Sequence, residues 1–219
     1  MSTTRLIFLR HGKLDLPYSS HDEMPYRLII DLANRTMDPP LDMEDTQKRV
    51  EGLLKTVPFA EVDQIFASTF QRNKNSAQIL AEQTEKLTGL LPPIEILPEL
   101  DEMRMDVQPL FPHDLDTPIP LPHLMDLIFE DMIHGRHVER VEKILTRVKK
   151  LFERLRDEVG TVICVSHDNT LRVVELYVKA HGNLDASQVT AEQLKATTRK
   201  DYLRGFMTDG ELNTFTVIE

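Results

Sequence analysis

Hydrophobic positions along this chain follow two patterns: short apolar runs, and longer stretches in which apolar residues recur every three or four positions. The short runs predict five strands, at residues 6–9, 64–67, 94–97, 161–165 and 214–218. The run TVICV at 161–165 is rich in β-branched residues and is apolar almost throughout. It therefore predicts a strand that is buried on both faces of a sheet.

The three- and four-residue spacing predicts helices between these strands. The clearest spans about residues 137–158 and carries one apolar face. Further helices are predicted at about 41–56, within 70–87, and after a turn within 166–182. The apolar face of the clearest helix consists of Val138, Val141, Ile144, Leu145, Val148, Leu151, Phe152 and Leu155.

Two proline-punctuated stretches show neither pattern. We predict that residues 12–40 are irregular, and that residues 103–123 belong to an irregular surface insertion, cap or lid that extends over about 103–137. Strands that alternate with helices predict an α/β fold: a three-layer sandwich with a mostly parallel sheet and helices on both faces. With 219 residues and 41% hydrophobic composition, we expect a single domain over 1–219.

Composition narrows the functional classes. A formal net charge of −10 argues against a broad nucleic-acid surface, which needs many lysines and arginines. Cys164 is the only cysteine, so neither a disulfide framework nor an all-cysteine metal site is expected, and its place in a strand predicts a core side chain. No apolar run approaches about 18 residues and the N-terminus lacks a leader pattern, which predicts a cytoplasmic protein without a membrane span.

Polar side chains follow four of the predicted strands. Arg10 and His11 come directly after the first strand, Arg72 follows the second by one short turn, Glu102 follows the third, and His167 follows the fourth. Ligands of open α/β sheets bind beyond the carboxyl ends of the strands. We therefore expect these five side chains to meet at one edge of the sheet.

This set of residues suits phosphoryl transfer. Arginine presents a fork of donors to phosphate oxygens, and a neutral histidine can attack phosphorus. A glutamic acid with a raised pKa can protonate the leaving oxygen. Gly12 is expected to let the backbone turn sharply and approach the ligand.

Several segments also resemble the histidine phosphatase superfamily, the phosphoglycerate mutase-like proteins with an Arg-His-Gly motif. The chain is similar to the family over 5–172, with the segments in the family's order. The matching segments are LIFLRHGK, PPLDMEDTQKRV, ASTFQRNKNSAQIL, LPELDEM and VICVSHDNTLR.

The resemblance implies roles for the polar residues. His11 is the expected nucleophile, which carries a phosphohistidine intermediate. Arg10, Arg72 and His167 are expected to bind the transferring phosphoryl group, with His167 part of the catalytic set. Glu102 is expected to act as general acid toward the leaving group and then as general base toward water. The family's chemistry implies neither a metal nor another cofactor.

The chain departs from the family pattern at two positions near the expected phosphate. Pro17 stands where many members have asparagine, and Asp168 replaces the usual glycine after the second histidine. The backbone at Gly12 and Asp168 is still expected to help bind phosphate. The Asp168 carboxylate must point away or pair, and Lys13 is a candidate partner. The glycine-rich run that often follows the acid is absent.

Three functions follow from these observations. The leading hypothesis is a metal-independent phosphomonoesterase that acts on a small phosphorylated substrate, although a phosphoprotein substrate stays open. The alternatives are a phosphoglycerate-type mutase and a weakly catalytic member that binds a phosphorylated ligand or protein. Neither a nucleic-acid nor a membrane partner is expected, and the resemblance allows a homodimer.

Four histidines of the insertion raise a separate question. HGRH lacks the i, i+4 spacing of a helical zinc pair, so no metal site is predicted there. Arg104 and Arg136, in the same region, are weaker candidates for substrate contacts. The four histidines are His113, His123, His134 and His137.

Overall fold

The computed structural model of this chain describes residues 4–18, 21–106, 115–118, 120–198 and 201–218. Six strands form one sheet: β1 Arg5–Arg10, β2 Val62–Ala67, β3 Ile94–Ile96, β4 Thr161–Ser166, β5 Gly205–Asp209 and β6 Thr216–Ile218. Their order across the sheet is β3-β2-β4-β1-β5-β6. The first four strands in this order pair in parallel, whereas β5 is antiparallel to both of its neighbours.

Seven α-helices occur in the described parts of the chain. They are α1 Tyr26–Ala33, α2 Met43–Leu53, α3 Gln71–Thr88, α4 Leu121–His134, α5 Val141–Leu155, α6 Asp168–Lys179 and α7 Ala191–Ala196. Short 3-10 turns lie at His21–Glu23, Phe59–Glu61, Pro98–Leu100 and Ala186–Gln188. None of the helices described is both long and apolar enough to cross a membrane.

The side chains of β1 alternate between two hydrophobic clusters, one on each face of the sheet. Leu6 and Phe8 belong to the cluster that includes buried residues of α1, α4, α5, α6 and α7. Ile7 and Leu9 belong to the cluster that includes α2 and α3. The period of two along a strand places helices on both faces, so the predicted three-layer α/β fold is confirmed.

The pairing register brings the carboxyl ends of the parallel strands level. Arg10 lies opposite Ser166, and Ala67 lies opposite both Val165 and Ile96. Every residue of β4 is buried, which confirms the prediction of a strand covered on both faces. Residues that immediately follow these strands therefore start from one edge of the sheet.

The two stretches predicted to be irregular each contain a helix, and in this respect the prediction was wrong. Prolines suggested loops, but Pro25 is the residue before α1 and Pro122 lies in the first turn of α4. Proline is tolerated there because the first N–H groups of a helix have no partner within the helix. Within the predicted insertion, 107–114 and 119 lie outside the described residues.

Candidate active site

A cavity of about 360 Å³ opens at the carboxyl edge of the parallel strands. Six of the seven site residues predicted from the sequence line its polar side. The seventh, Gly12, directly follows His11 in the chain. Pro17 does not line the cavity. The six lining residues are Arg10, His11, Arg72, Glu102, His167 and Asp168.

His11 is held at the end of β1 by its backbone and its ring. Its backbone N–H donates to the carbonyl of Ser166 at 3.0 Å, which ties it to β4. Ring atom Nδ1 lies 2.8 Å from the carbonyl oxygen of Gly12. A carbonyl only accepts hydrogen bonds, so Nδ1 carries the proton and the neutral ring has its lone pair on Nε2.

Gly12 is required by close packing rather than by an unusual turn. Its φ is not among the positive values of the chain, so the sharp turn expected from the sequence is not what selects glycine. A Cβ atom at this position would lie 2.6 Å from Oγ1 of Thr46 on α2. The Gly12 N–H donates to Ser76 Oγ at 2.8 Å, and that hydroxyl donates to the Arg72 carbonyl at 2.7 Å.

His167 follows β4 and is almost completely buried, with 1% of its surface exposed. Nη2 of Arg72 lies 3.5 Å from Nδ1, and Nε2 lies 2.9 Å from Ser68 Oγ. Because arginine can only donate, Nδ1 accepts and Nε2–H donates to the serine. Burial, followed by the charge of Arg72, lowers the pKa of His167 well below its usual value. The His11 and His167 rings meet edge to face, 5.2 Å between centroids.

Arg72 reaches the cavity from the first turn of α3 and is buried. Its Nη1 donates to Asp38 Oδ1 at 2.9 Å, and the other oxygen of Asp38 accepts from the Gln71 N–H at 2.7 Å. The Arg72 guanidinium also stacks on Phe70, 4.3 Å from the ring centroid. Burial lowers the pKa of Arg72, while the Asp38 carboxylate opposes this shift. Nε of Arg72 makes no hydrogen bond within the described chain.

Glu102 lines the cavity from the loop after β3. Oε1 accepts from the Met103 N–H at 3.0 Å and from the Thr170 N–H at 3.3 Å, and it lies 3.3 Å from the Thr170 hydroxyl oxygen. The Thr170 hydroxyl also donates to the Asp101 carbonyl at 2.8 Å, which fixes the loop to α6. Burial, reinforced by the nearby charge of Asp168, raises the pKa of Glu102 above its usual value. A proton donor at near-neutral pH needs this direction of shift.

Asp168 begins α6, and Arg172 compensates its charge. Oδ2 of Asp168 accepts from Arg172 Nη2 at 3.1 Å and from Nε at 3.3 Å. Lys13, the candidate that the sequence offered for compensating this charge, instead forms an ion pair with Asp42 at 3.2 Å. Arg172 also donates to the hydroxyl of Thr197 at 2.9 Å, which holds the pair in place. Asp168 therefore borders the cavity as a paired carboxylate.

Sequence reasoning missed the residues that hold the nominated side chains in position. Asp38 orients Arg72, Ser68 binds His167, and Arg172 pairs with Asp168. Tyr202 lies under Arg10, with the guanidinium carbon 4.2 Å from the ring centroid. Ser68 lies directly after β2, so its position at a strand end could have identified it as a site residue. The Asp168–Arg172 pair has the i, i+4 spacing of a helix and was also readable from the sequence. Asp38 and Tyr202 carry no local signal, because their contacts join segments that are distant in the chain.

The histidines of the insertion form no candidate metal centre in the described residues, where no group of three or more His, Cys, Asp or Glu side chains is placed to hold an ion. His113 lies outside that part of the chain. Arg104 and Arg136 line a neighbouring groove rather than the cavity itself. Cys164 is fully buried in the core as predicted, and burial raises the pKa of its thiol.

A family model of the histidine phosphatase superfamily (branch 1) matches residues 6–198 of this sequence. The chain belongs to this superfamily. The match extends beyond the motifs that carried the resemblance and includes α6 and α7. It confirms the family inferred from the strand-end segments. Comparison with curated protein sequences gives no match.

Solved structures of two phosphatases and a phosphoglycerate mutase share the fold of this chain at low sequence identity. The mycobacterial glucosyl-3-phosphoglycerate phosphatase is 14% identical, with a TM-score of 0.61 over 98% of this chain and 97% of its own. The phosphoserine phosphatase of Entamoeba histolytica, solved with 3-phosphoglyceric acid, is 14% identical, with a TM-score of 0.62 over 99% and 95%. A phosphoglycerate mutase from Bacillus anthracis is 15% identical, with a TM-score of 0.59 over 99% and 92%. At these identities the likeness is one of fold.

Proposed function

We propose that this protein is a metal-independent phosphomonoesterase that forms a phosphohistidine on His11. The observation that carries the proposal is the hydrogen bond from His11 Nδ1 to the Gly12 carbonyl at 2.8 Å. It keeps the lone pair on Nε2, in a cavity that Arg10, Arg72 and His167 also line. Membership of the superfamily supports the same chemistry.

In the first step, Nε2 of His11 attacks phosphorus and the bond from phosphorus to the ester oxygen breaks. Glu102 gives its proton to that oxygen, so the alcohol leaves neutral. The His11 ring gains positive charge as the P–N bond forms. The hydrogen bond from Nδ1–H to Gly12 then becomes charge-assisted and strengthens in the transition state, which is the kind of interaction that accelerates a reaction.

In the second step, a water molecule attacks the phosphohistidine. The ionised Glu102 takes a proton from this water, the P–N bond breaks, and inorganic phosphate leaves. His11 returns to its neutral form and Glu102 is protonated again. The cycle therefore balances in protons and needs no redox partner.

Arg10, Arg72 and His167 stabilise the phosphoryl oxygens during both steps. Burial, together with the neighbouring cations, lowers the pKa of His167 and holds the ring neutral when no anion is bound. A phosphoryl dianion offsets that repulsion, so ligand binding favours a protonated His167 that can donate from Nδ1. Phosphoryl transfer depends mainly on such positioning and charge stabilisation.

Two alternative functions receive less support from the site. The pairing of Asp168 with Arg172 reduces the repulsion that favoured a binding-only protein. A phosphoglycerate-type mutase must hold a second phosphate. Of the three arginines that line the cavity in the described chain, Arg72 and Arg172 already have carboxylate partners.

The test is phosphate release from a panel of phosphomonoesters in the presence of a chelator. We expect His11→Ala to lower kcat by at least about a thousandfold. His134→Ala is the matched control, because His134 is 68% exposed on α4 and lies outside the cavity. Rapid quenching of the wild type should trap protein-bound phosphate that is stable to alkali and labile to acid.

Equal phosphate release by the wild type and His11→Ala would overturn the proposal. Isomerisation of a phosphoglycerate, primed by its bisphosphate, would instead identify a mutase. Tight phosphate binding without turnover of any ester would identify a binding protein.

A further inference from the structure

The cavity that contains His11 has a second, apolar side. Helices α1 and α4 supply most of this side, and neither helix was predicted from the sequence. The apolar side is formed mainly by six residues, Ile29, Leu32, Met105, Leu124, Met125 and Ile128. A bound ester would place its phosphoryl group among the arginines and histidines and its alcohol portion against this apolar wall.

Among the residues that the structure describes, the charges around the cavity leave little provision for a second anionic group. Arg172 is paired with Asp168, and Arg72 is paired with Asp38. Arg10 and Arg72 are already assigned to the phosphoryl group itself. Asp22 adds a further carboxylate to the lining, and the whole protein carries a net charge of −10. A carboxylate or second phosphate on the alcohol would therefore meet carboxylates and hydrocarbon.

We propose that the substrate is a phosphomonoester whose alcohol portion is apolar and carries no second negative charge, such as an alkyl or aryl ester. The inference rests on the proposed phosphatase function and names its substrate class. Burial of hydrocarbon against α1 and α4 supplies binding energy remote from the reacting phosphorus. The wall has the composition of pockets that bind apolar ligands, with polar groups only where orientation is needed.

A neighbouring groove offers the competing location for an anionic substrate. It adjoins the cavity at Ala33 and Met105 and is lined by basic side chains, among them Arg104 and Lys143. Two of its arginines already have acidic partners, since Arg35 pairs with Asp101 and Arg140 with Glu142. An anionic alcohol would have to pass the apolar wall to reach this groove.

The experiment measures kcat/KM for a series of n-alkyl phosphates from ethyl to hexyl, with 3-phosphoglycerate as the anionic comparison. Each added methylene should raise kcat/KM about fourfold until the cavity is filled. The value for 3-phosphoglycerate should fall at least about a hundredfold below that for hexyl phosphate. Met125→Gln should flatten the dependence on chain length. Met43→Gln, a change at an exposed methionine on α2 outside the cavity, should preserve it.

The outcomes separate this inference from the proposed function. His11-dependent hydrolysis with no gain along the alkyl series would overturn the substrate class alone. A preference for 3-phosphoglycerate that is lost in Arg104→Gln would place an anionic substrate in the basic groove instead. If no ester is hydrolysed, calorimetry with n-alkyl phosphonates decides the inference independently, since their P–C bond resists hydrolysis. Affinity that rises with chain length supports the apolar site, and constant affinity refutes it.

Discussion

At the scale of single residues, the site depends on which nitrogen of each histidine carries the proton. His11 donates from Nδ1 to a backbone carbonyl, whereas His167 donates from Nε2 to Ser68. The two neighbouring rings therefore present opposite tautomers, one with its lone pair on Nε2 and the other on Nδ1. The carbonyl of the next residue, Gly12, sets the first tautomer, whereas the hydroxyl of Ser68, 99 positions away in the chain, sets the second. The residue types were predictable from the strand ends, but the tautomers were not.

The general-acid role proposed for Glu102 can be tested by substitution. Glu102→Gln should lower kcat/KM for alkyl phosphates about 10²–10⁴-fold, because the alkoxide then leaves without a proton. The loss should be much smaller for 4-nitrophenyl phosphate, whose phenolate leaves readily. A wild-type profile should fall on the alkaline side as Glu102 ionises, above the ordinary range for glutamate because its pKa is raised. Steady-state kinetics against pH for both esters measure the effect.

The raised pKa of Glu102 also affects the stability of the fold, which gives an independent check of the shift. The folded state holds the Glu102 proton more tightly than the unfolded state does. The free energy of unfolding therefore loses this contribution as pH rises from the unfolded pKa through the raised folded pKa. Glu102→Gln should remove the loss. An equal kinetic defect for both esters at every pH would contradict the general-acid role.

Among the helices and strands, the sequence predicted those with a clear hydrophobic pattern of their own. It missed those that are recognisable only from tertiary contacts. The apolar runs of β1 and β4 and the long stripe of α5 gave elements at the observed places. Both α1 and α4 were missed because prolines near their first turns resembled loop punctuation. The five residues of β5 are recognisable as a strand only from their pairing with β1 and β6. Consequently the polar side of the cavity was predictable, whereas its apolar wall was not.

The close antiparallel pairing of β5 with β1 can be tested by substitution at Gly205. A Cβ at Gly205 would lie 1.7 Å from the Phe8 carbonyl oxygen, which belongs to the central strand of the core. Gly205→Ala should therefore lower the free energy of unfolding by at least about 2 kcal/mol. Gly52→Ala is the matched control. Its Cβ on α2 meets nothing within 4 Å, so alanine should stabilise the helix by about 0.5–1 kcal/mol.

Urea denaturation of the two glycine variants and the wild type measures both effects. The m-values should agree among the three proteins if the variants change stability rather than the unfolded chain. A Gly205→Ala protein as stable as the wild type would show that β5 does not pack closely against β1 at this position.

At the scale of the whole molecule, the proposed site joins elements that are distant in sequence. Its polar residues come from β1, the loop after β3, and the start of α3 and α6. An anion bound among them contacts segments between Arg10 and Asp168 that the sheet brings together. Ligand binding should therefore stabilise the global fold, since these residues are assembled only in the native state.

Inorganic phosphate tests this linkage without any need for turnover. At a concentration about a hundredfold above Kd, phosphate should add about 2.7 kcal/mol to the free energy of unfolding. For a chain of this length, that corresponds to a rise in Tm of about 5–10 °C. Differential scanning calorimetry measures the shift, with sodium chloride at equal ionic strength as the control for general screening.

Arg72→Lys distinguishes the proposed site from the rest of the surface. Lysine keeps the charge but loses the fork of donors that pairs with Asp38 and that we propose binds phosphate. The variant should unfold at a somewhat lower temperature, and the increment that phosphate adds should shrink to less than half. The two effects are separable because the first is measured without the anion. An unchanged phosphate increment in Arg72→Lys would place the anion elsewhere on the protein and would remove Arg72 from the proposed site.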